Sequence, residues 1–139
     1  MAVMRLVGNW TLVSYITEHP DGSRGKPYGD AIGRLSYDAR GNMAGQVMRP
    51  GRLAVAPAQW GAQEVRSAYA GYIAYFGTYE VNAAGDSVVH HVHGALNPGW
   101  VGGDQVRRMR FDGDLLILST EVLKGGAPVQ HTLTWKKLV

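Results

Sequence analysis

The chain has 139 residues, a length typical of one domain with a sizeable core. Its 45% hydrophobic and 18% charged residues exclude a disordered chain, and no apolar run approaches the roughly 18 residues that a membrane-spanning helix needs. The sequence contains no cysteine, which excludes disulfides and thiolate chemistry.

The net charge of +3 does not indicate a nucleic-acid-binding protein. The only dense basic cluster is Arg107, Arg108 and Arg110, and alternation along a strand sends neighbouring side chains to opposite faces. No basic stripe with interleaved aromatic residues appears. Residues 1–10 also lack the apolar core of a signal peptide. We therefore expect a cytoplasmic protein with no nucleic-acid or membrane partner, and a homo-oligomer is left open.

The first half of the chain is dominated by strand-like runs. Residues 10–17 are rich in β-branched and aromatic residues and predict a first strand. Residues 32–37 and 42–48 predict two more strands. The tetrapeptide 38–41, Asp-Ala-Arg-Gly, lies between them and is typical of a hairpin turn.

The periodicity changes near the middle of the chain. Val65, Ala68, Tyr69 and Tyr72 recur at i, i+3, i+4 and i+7, the spacing of one helix face. This pattern predicts the one convincing helix of the protein, within residues 62–75.

Strand-like runs return in the second half of the chain. Residues 76–82, 87–93, 105–111, 115–121 and 128–136 each predict a strand, with glycine-containing turns between several of them. The total of eight strands at hairpin spacing is typical of an up-and-down barrel.

The head of the first strand, Gly8-Asn9-Trp10, resembles the Gly-x-Trp signature of lipocalins. The glycine would let the chain turn tightly beneath a barrel, and the indole would plug the closed end. Residues 8–15, 72–81 and 90–108 are similar to the bacterial and fungal lipocalin-like domain family, and the resemblance extends over residues 6–135.

This resemblance implies an all-β fold: an eight-stranded antiparallel up-and-down β-barrel, with one helix inserted between strands four and five in the middle of the chain. A single domain over residues 1–139 is expected. The chain departs from secreted lipocalins because it has no disulfide, no export signal and no helix after the final strand. Their secretory transport functions are therefore not expected here.

Strand alternation assigns side chains to the barrel interior. Met109 and Phe111 mark the inward face of the strand 105–111, which places Gln105 and Arg107 on the same face. The surrounding wall is apolar, so an inward guanidinium needs a hydrogen-bond acceptor. No Asp or Glu shares that predicted face, and a ligand carboxylate, enolate or carbonyl would serve. The alternative is an Arg107 side chain that packs along the wall and reaches solvent at the rim.

Two histidines are predicted to face the same interior. Apolar neighbours on strands 87–93 and 128–136 place His90 and His131 inside. For His131 the alternative is a core imidazole bonded to a tyrosine. The polar groups predicted to converge in the barrel and bind a ligand are His90, Gln105, Arg107, His131, Tyr37 and Tyr79.

A metal site is also considered, because His91 and His93 lie two residues apart on one strand. The predicted register points both side chains outward, and no second pair of ligands is evident. We therefore expect no metal. No nucleophile elbow, phosphate loop or dinucleotide fingerprint is present, and we expect no cofactor.

Two functions remain open at this point. The first is a carrier or binding protein for a small, partly apolar molecule bearing a carbonyl or carboxylate, oriented by Arg107, Gln105 and His90. The second is a cofactor-free cyclase, isomerase or hydratase in the same cavity. It would use His90 or His131 as general acid and base, with Arg107 stabilising an oxyanion. A structural module is a third option if aromatic side chains fill the barrel.

Overall fold

The fold is an antiparallel sheet whose long strands follow one another in chain order. A computed structural model describes residues 2–138. The elements are α1 (Ala2–Leu6), β1 (Gly8–Glu18), β2 (Arg24–Gly25), β3 (Ile32–Tyr37), β4 (Asn42–Met48), α2 (Ala62–Ala70), β5 (Tyr72–Val81), β6 (Ser87–Ala95), β7 (Asp104–Asp112), β8 (Leu115–Lys124) and β9 (Ala127–Lys137). Two 3₁₀ turns, Pro57–Gln59 and Pro98–Trp100, lie in the connections.

Pairing of the first strand with the last closes the sheet into a barrel. β1 and β9 pair from Trp10↔Lys137 to Glu18↔Gln130. β1 and β3 to β9 form the eight-stranded wall, while the two-residue β2 pairs with the outer end of β1. The predicted eight-stranded antiparallel barrel is confirmed, and α2 lies between β4 and β5 as the resemblance implies.

The predicted boundary between helix and strand is wrong by several residues. α2 ends at Ala70, and Tyr72 starts β5 rather than belonging to the helix face. The segment from Tyr72 to Tyr75 pairs with β4, from Met48 to Gly45. Aromatic and β-branched residues in this segment favour a strand, and the ladder hydrogen bonds outweigh the accidental helical spacing.

The short helix α1 was not predicted from the sequence, and it covers one end of the barrel. Leu6 is fully buried, and its carbonyl accepts a hydrogen bond of 2.9 Å from the indole Nε1 of Trp10. Lys137 donates to the carbonyl of Arg5 at 3.0 Å. Five residues are too few for a stable isolated helix, so these tertiary contacts hold it in place.

Gly8 makes the turn from α1 into β1 possible. Its φ of +139° lies in a region that favours glycine, and a Cβ there would lie 2.8 Å from Cε of Lys137. The neighbouring Trp10 is only 2% exposed. The glycine and the indole therefore have the roles expected from the Gly-x-Trp pattern.

No helix among residues 2–138 has the length and apolar character needed to span a membrane.

Trp10→Ala should destabilise the protein by about 3–5 kcal/mol, because it removes a buried indole and one hydrogen bond to α1. Thermal unfolding should show Tm lowered by roughly 10 °C or more. Trp60→Ala is the matched control, because Trp60 is 63% exposed. A Trp10→Ala protein that melts within a few degrees of the parent would exclude the plug role.

Candidate ligand-binding cavity

The barrel interior is divided into a packed half and a hollow half. Around the end closed by α1, the interior is filled by large side chains: Trp10, Tyr37, Met43, Tyr79, Val88, Met109 and Leu116. The opposite half holds a cavity of about 350 Å³. Its boundary with the packed half includes Leu35, Leu118 and Trp135, each less than 5% exposed.

Four of the six predicted site residues line this cavity: His90, Gln105, Arg107 and His131. The other two do not. Tyr37 lies in the packed half, with its ring edge against Tyr79 at a centroid distance of 4.8 Å. The Tyr79 hydroxyl donates to the Asp38 carbonyl at 2.6 Å. A direct contact between either tyrosine and a ligand is therefore not supported by their positions.

Arg107 projects to the cavity face of β7, and it has acceptors on its own strand. Nη2 donates to Gln105 Oε1 and Nη1 donates to the Val106 carbonyl, both at 3.0 Å. No Asp or Glu is among the described residues that line the cavity. These bonds use only two of the five N–H groups of the guanidinium, so several donors stay free for a ligand.

His90 is buried and bonded at both ring nitrogens. It is 2% exposed, and its Nε2 contacts the Tyr37 hydroxyl while Nδ1 lies 2.6 Å from the Tyr75 hydroxyl. Burial, helped by the positive charges of Arg107 and His91, lowers the pKa of His90 to about 3. The imidazole is therefore neutral at physiological pH, with one nitrogen donating and the other accepting.

His131 forms a second pair with a tyrosine. Its Nδ1 lies 2.7 Å from the hydroxyl of Tyr15 on the neighbouring β1. Burial and the charge of Arg107 lower the pKa of His131, and burial raises the pKa of Tyr15 to about 12. Both groups are therefore neutral near pH 7, and the tyrosine-bonded imidazole considered above is what the structure contains.

His91, one of the two histidines considered for a metal site, is hydrogen-bonded to carboxylates on both neighbouring strands. His91 Nδ1 lies 2.7 Å from Asp104 and Nε2 lies 2.8 Å from Glu80, and these hydrogen bonds raise the pKa of His91. Across residues 2–138, no group of three or more His, Asp or Glu side chains is arranged to hold a metal ion.

The profile of the lipocalin-like domain family matches residues 7–138, almost the whole chain. The chain belongs to the lipocalin-like domain family. The 4'-hydroxy-3'-methoxypropiophenone carrier protein ppsC of Aspergillus oryzae is 32% identical over 111 residues, which cover 69% of this chain and 96% of ppsC. The solved structure of the siderocalin Ex-FABP overlaps 96% of this chain and 71% of its own, with 10% identity and a TM-score of 0.35.

Two aromatic residues of this lipocalin-like domain line the cavity but are not among the six predicted site residues. Tyr75 and Trp100 both line the cavity, and their rings pack perpendicular to each other at 6.0 Å. The sequence pattern predicts Tyr75 at the end of the helix, whereas in the structure it lies on β5 and lines the cavity. Trp100 lies in the 3₁₀ turn after β6, where no periodicity could assign a direction.

The stability of this domain should fall in acid because of His90. The folded-state pKa of about 3 lies below the ordinary value of 6.5, so the unfolded chain binds the proton more tightly. The contribution of His90 to the free energy of unfolding is fully present above pH 6.5. It is lost as the pH falls toward 3, by at most about 1.4 kcal/mol per pH unit. Urea unfolding between pH 7 and 4 measures the slope. His90→Gln should flatten it; an equally steep slope in that variant would assign the acid sensitivity to carboxylates.

Proposed function

We propose that the protein binds and carries a small, partly apolar organic molecule bearing a carbonyl or carboxylate in the cavity of the barrel. The observation that carries this proposal is an apolar cavity of about 350 Å³ with one cluster of polar groups. Small-molecule sites are usually built in this way, with an apolar wall for affinity and a few polar groups for orientation.

The volume favours a ligand with one ring and short substituents. Ligand pockets range from roughly 300 to 1,000 Å³, and this cavity lies near the lower limit. The relative ppsC is named as the carrier of an aryl ketone of that size, with both a carbonyl and a phenolic oxygen. The aryl ketone class is therefore the one we propose to test first.

The wall suggests how such a molecule is oriented. Leu35, Leu118 and Trp135 provide a buried apolar surface for the ring. Arg107 and Gln105 provide polar groups on β7 for an oxygen substituent. A guanidinium offers a forked pair of donors to such an oxygen, which an ammonium group does not reproduce.

The contacts of His90 argue against its use as a general acid or base. Both of its nitrogens are bonded to tyrosine hydroxyls, so neither is free to exchange a proton directly with a ligand. A general acid or base needs a nitrogen within hydrogen-bond distance of the reacting atom. We therefore assign His90 a positioning role in the carrier.

Arg107→Lys should weaken binding of 4'-hydroxy-3'-methoxypropiophenone by about 1.5–3 kcal/mol, the usual value of a hydrogen bond to a charged group. Isothermal titration calorimetry measures the affinity, and circular dichroism checks that the barrel is intact.

Arg108→Lys is the matched control, because Arg108 is exposed on the outer face of the same strand. Equal losses of affinity at positions 107 and 108 would contradict the assignment of Arg107. A parent protein that shows no binding of aryl ketones would contradict the proposed ligand class.

A further inference from the structure

We propose that the cavity binds its ligand as an oxyanion, the conjugate base of a phenol made acidic by a conjugated carbonyl, held by the Tyr75 hydroxyl and the Arg107 guanidinium. This inference rests on the proposed function. It adds the protonation state of the ligand, and it assigns ligand binding to Tyr75.

The cavity has a single full positive charge among the described residues that line it. Among the described residues that line it, Arg107 alone carries a full charge at neutral pH. Gln105 and Val106 accept hydrogen bonds from it, but they are neutral and leave its charge uncompensated. The nearby imidazoles of His90 and His131 are neutral as well. A negative oxygen is therefore the ligand group that best complements this cavity.

The hydrogen bonds through His90 have one favoured direction. Tyr37 is 2% exposed, and among the described residues its hydroxyl has His90 Nε2 as its one hydrogen-bond partner. If Tyr37 accepted from Nε2–H, its own proton would be buried with no acceptor, which costs free energy. Tyr37 therefore donates to Nε2, and the proton of the neutral ring lies on Nδ1.

The direction of the His90 hydrogen bonds determines the role of the Tyr75 hydroxyl. Because Nδ1 carries the proton, it donates to the Tyr75 oxygen, and the Tyr75 proton is free to point elsewhere. Tyr75 lines the cavity, and packing against Trp100 fixes its ring. The hydrogen bonds from Tyr37 to His90 and from His90 to Tyr75 polarise the Tyr75 hydroxyl and make it a stronger donor. The chain Tyr37–His90–Tyr75 thus presents an oriented O–H donor to the cavity.

The positive charge of Arg107 favours the ionised form of phenol groups near it. Its charge lowers the pKa of Tyr15, Tyr37 and Tyr75, although burial raises these pKa values by more. The same field acts on a ligand phenol, which can also contact the guanidinium directly. Conjugation with a carbonyl makes such a phenol much more acidic than tyrosine at the outset. For the tyrosines, burial raises the pKa by more than Arg107 lowers it. For a more acidic ligand phenol in direct contact with the guanidinium, we expect the attraction to outweigh burial, so that the phenol ionises.

The test uses 4'-hydroxyacetophenone as a probe and its methyl ether, 4'-methoxyacetophenone, as the matched control. Phenolates of this class absorb at longer wavelength than the phenols. At a pH where most free probe is protonated, addition of the parent protein should produce the phenolate band. Calorimetry in buffers of different ionisation enthalpy should show proton release on binding. The methyl ether, which cannot ionise, should bind about tenfold or more weakly.

Two variants assign the effect to residues. Arg107→Met should abolish the phenolate band. Tyr75→Phe should weaken binding of the phenol about tenfold or more, with little change for the methyl ether. Arg108→Met should behave as the parent. The phenolate band is measured first on the parent protein. The protonation state of the ligand is therefore tested even if a variant fails to fold.

The outcomes separate the two proposals. If both probes bind with similar affinity and no phenolate band appears, the carrier function stands and the oxyanion inference is overturned. If neither probe binds, the proposed aryl ketone function fails and the inference fails with it. A phenolate band that persists in Arg107→Met would overturn the role given to that residue.

Discussion

Pairing of β1 with β9 closes the sheet, and closure forces every inward side chain of eight strands into one interior. An open sheet could turn an awkward polar residue toward solvent at an edge. A closed barrel has no such edge, so each inward polar group must find a partner inside or at the mouth. The His90 and His131 pairs with tyrosines, and the Arg107–Gln105 contact, are how this chain meets that requirement.

The two halves of the barrel differ in how far side chains fill the interior. The closed half contains Trp10, Tyr37 and Tyr79, whose rings fill the space between the strands. On the cavity wall, by contrast, β4 presents Gly45 and β8 presents Thr120. A Cβ at Gly45 would lie 3.1 Å from Leu35 Cδ1, so a larger residue there would crowd the wall and reduce the cavity. The packed half contributes buried apolar contacts, and small residues on the wall of the other half leave space for a ligand.

The sequence predicted the barrel well because period-two alternation and hairpin turns are local signals. The same alternation places Gln105 and Arg107 on the inward face with Met109. Alternation does not predict that Tyr15 and Trp10 share a face, because side chains five residues apart on a regular strand point to opposite faces. A register shift between Leu12 and Ser14 changes the phase and brings both side chains inside. Alternation does not predict such bulges, the tyrosine partners of His90 or the short helix α1. All three depend on contacts between residues distant in the sequence.

The buried chain Tyr37–His90–Tyr75 has a cost that an apolar core would avoid, because three polar side chains lose their water. Removing one member would leave a neighbouring buried polar group unpaired, so the two hydrogen bonds depend on one another. In return, in the proposed arrangement, His90 holds the Tyr75 oxygen in place before any ligand arrives, and the Tyr75 proton is left for the ligand. A donor that is already ordered loses little conformational entropy on binding, which improves affinity without further contact area. The polar chain beneath the cavity is thus better explained by the preorganisation of Tyr75 than by the stability of the fold.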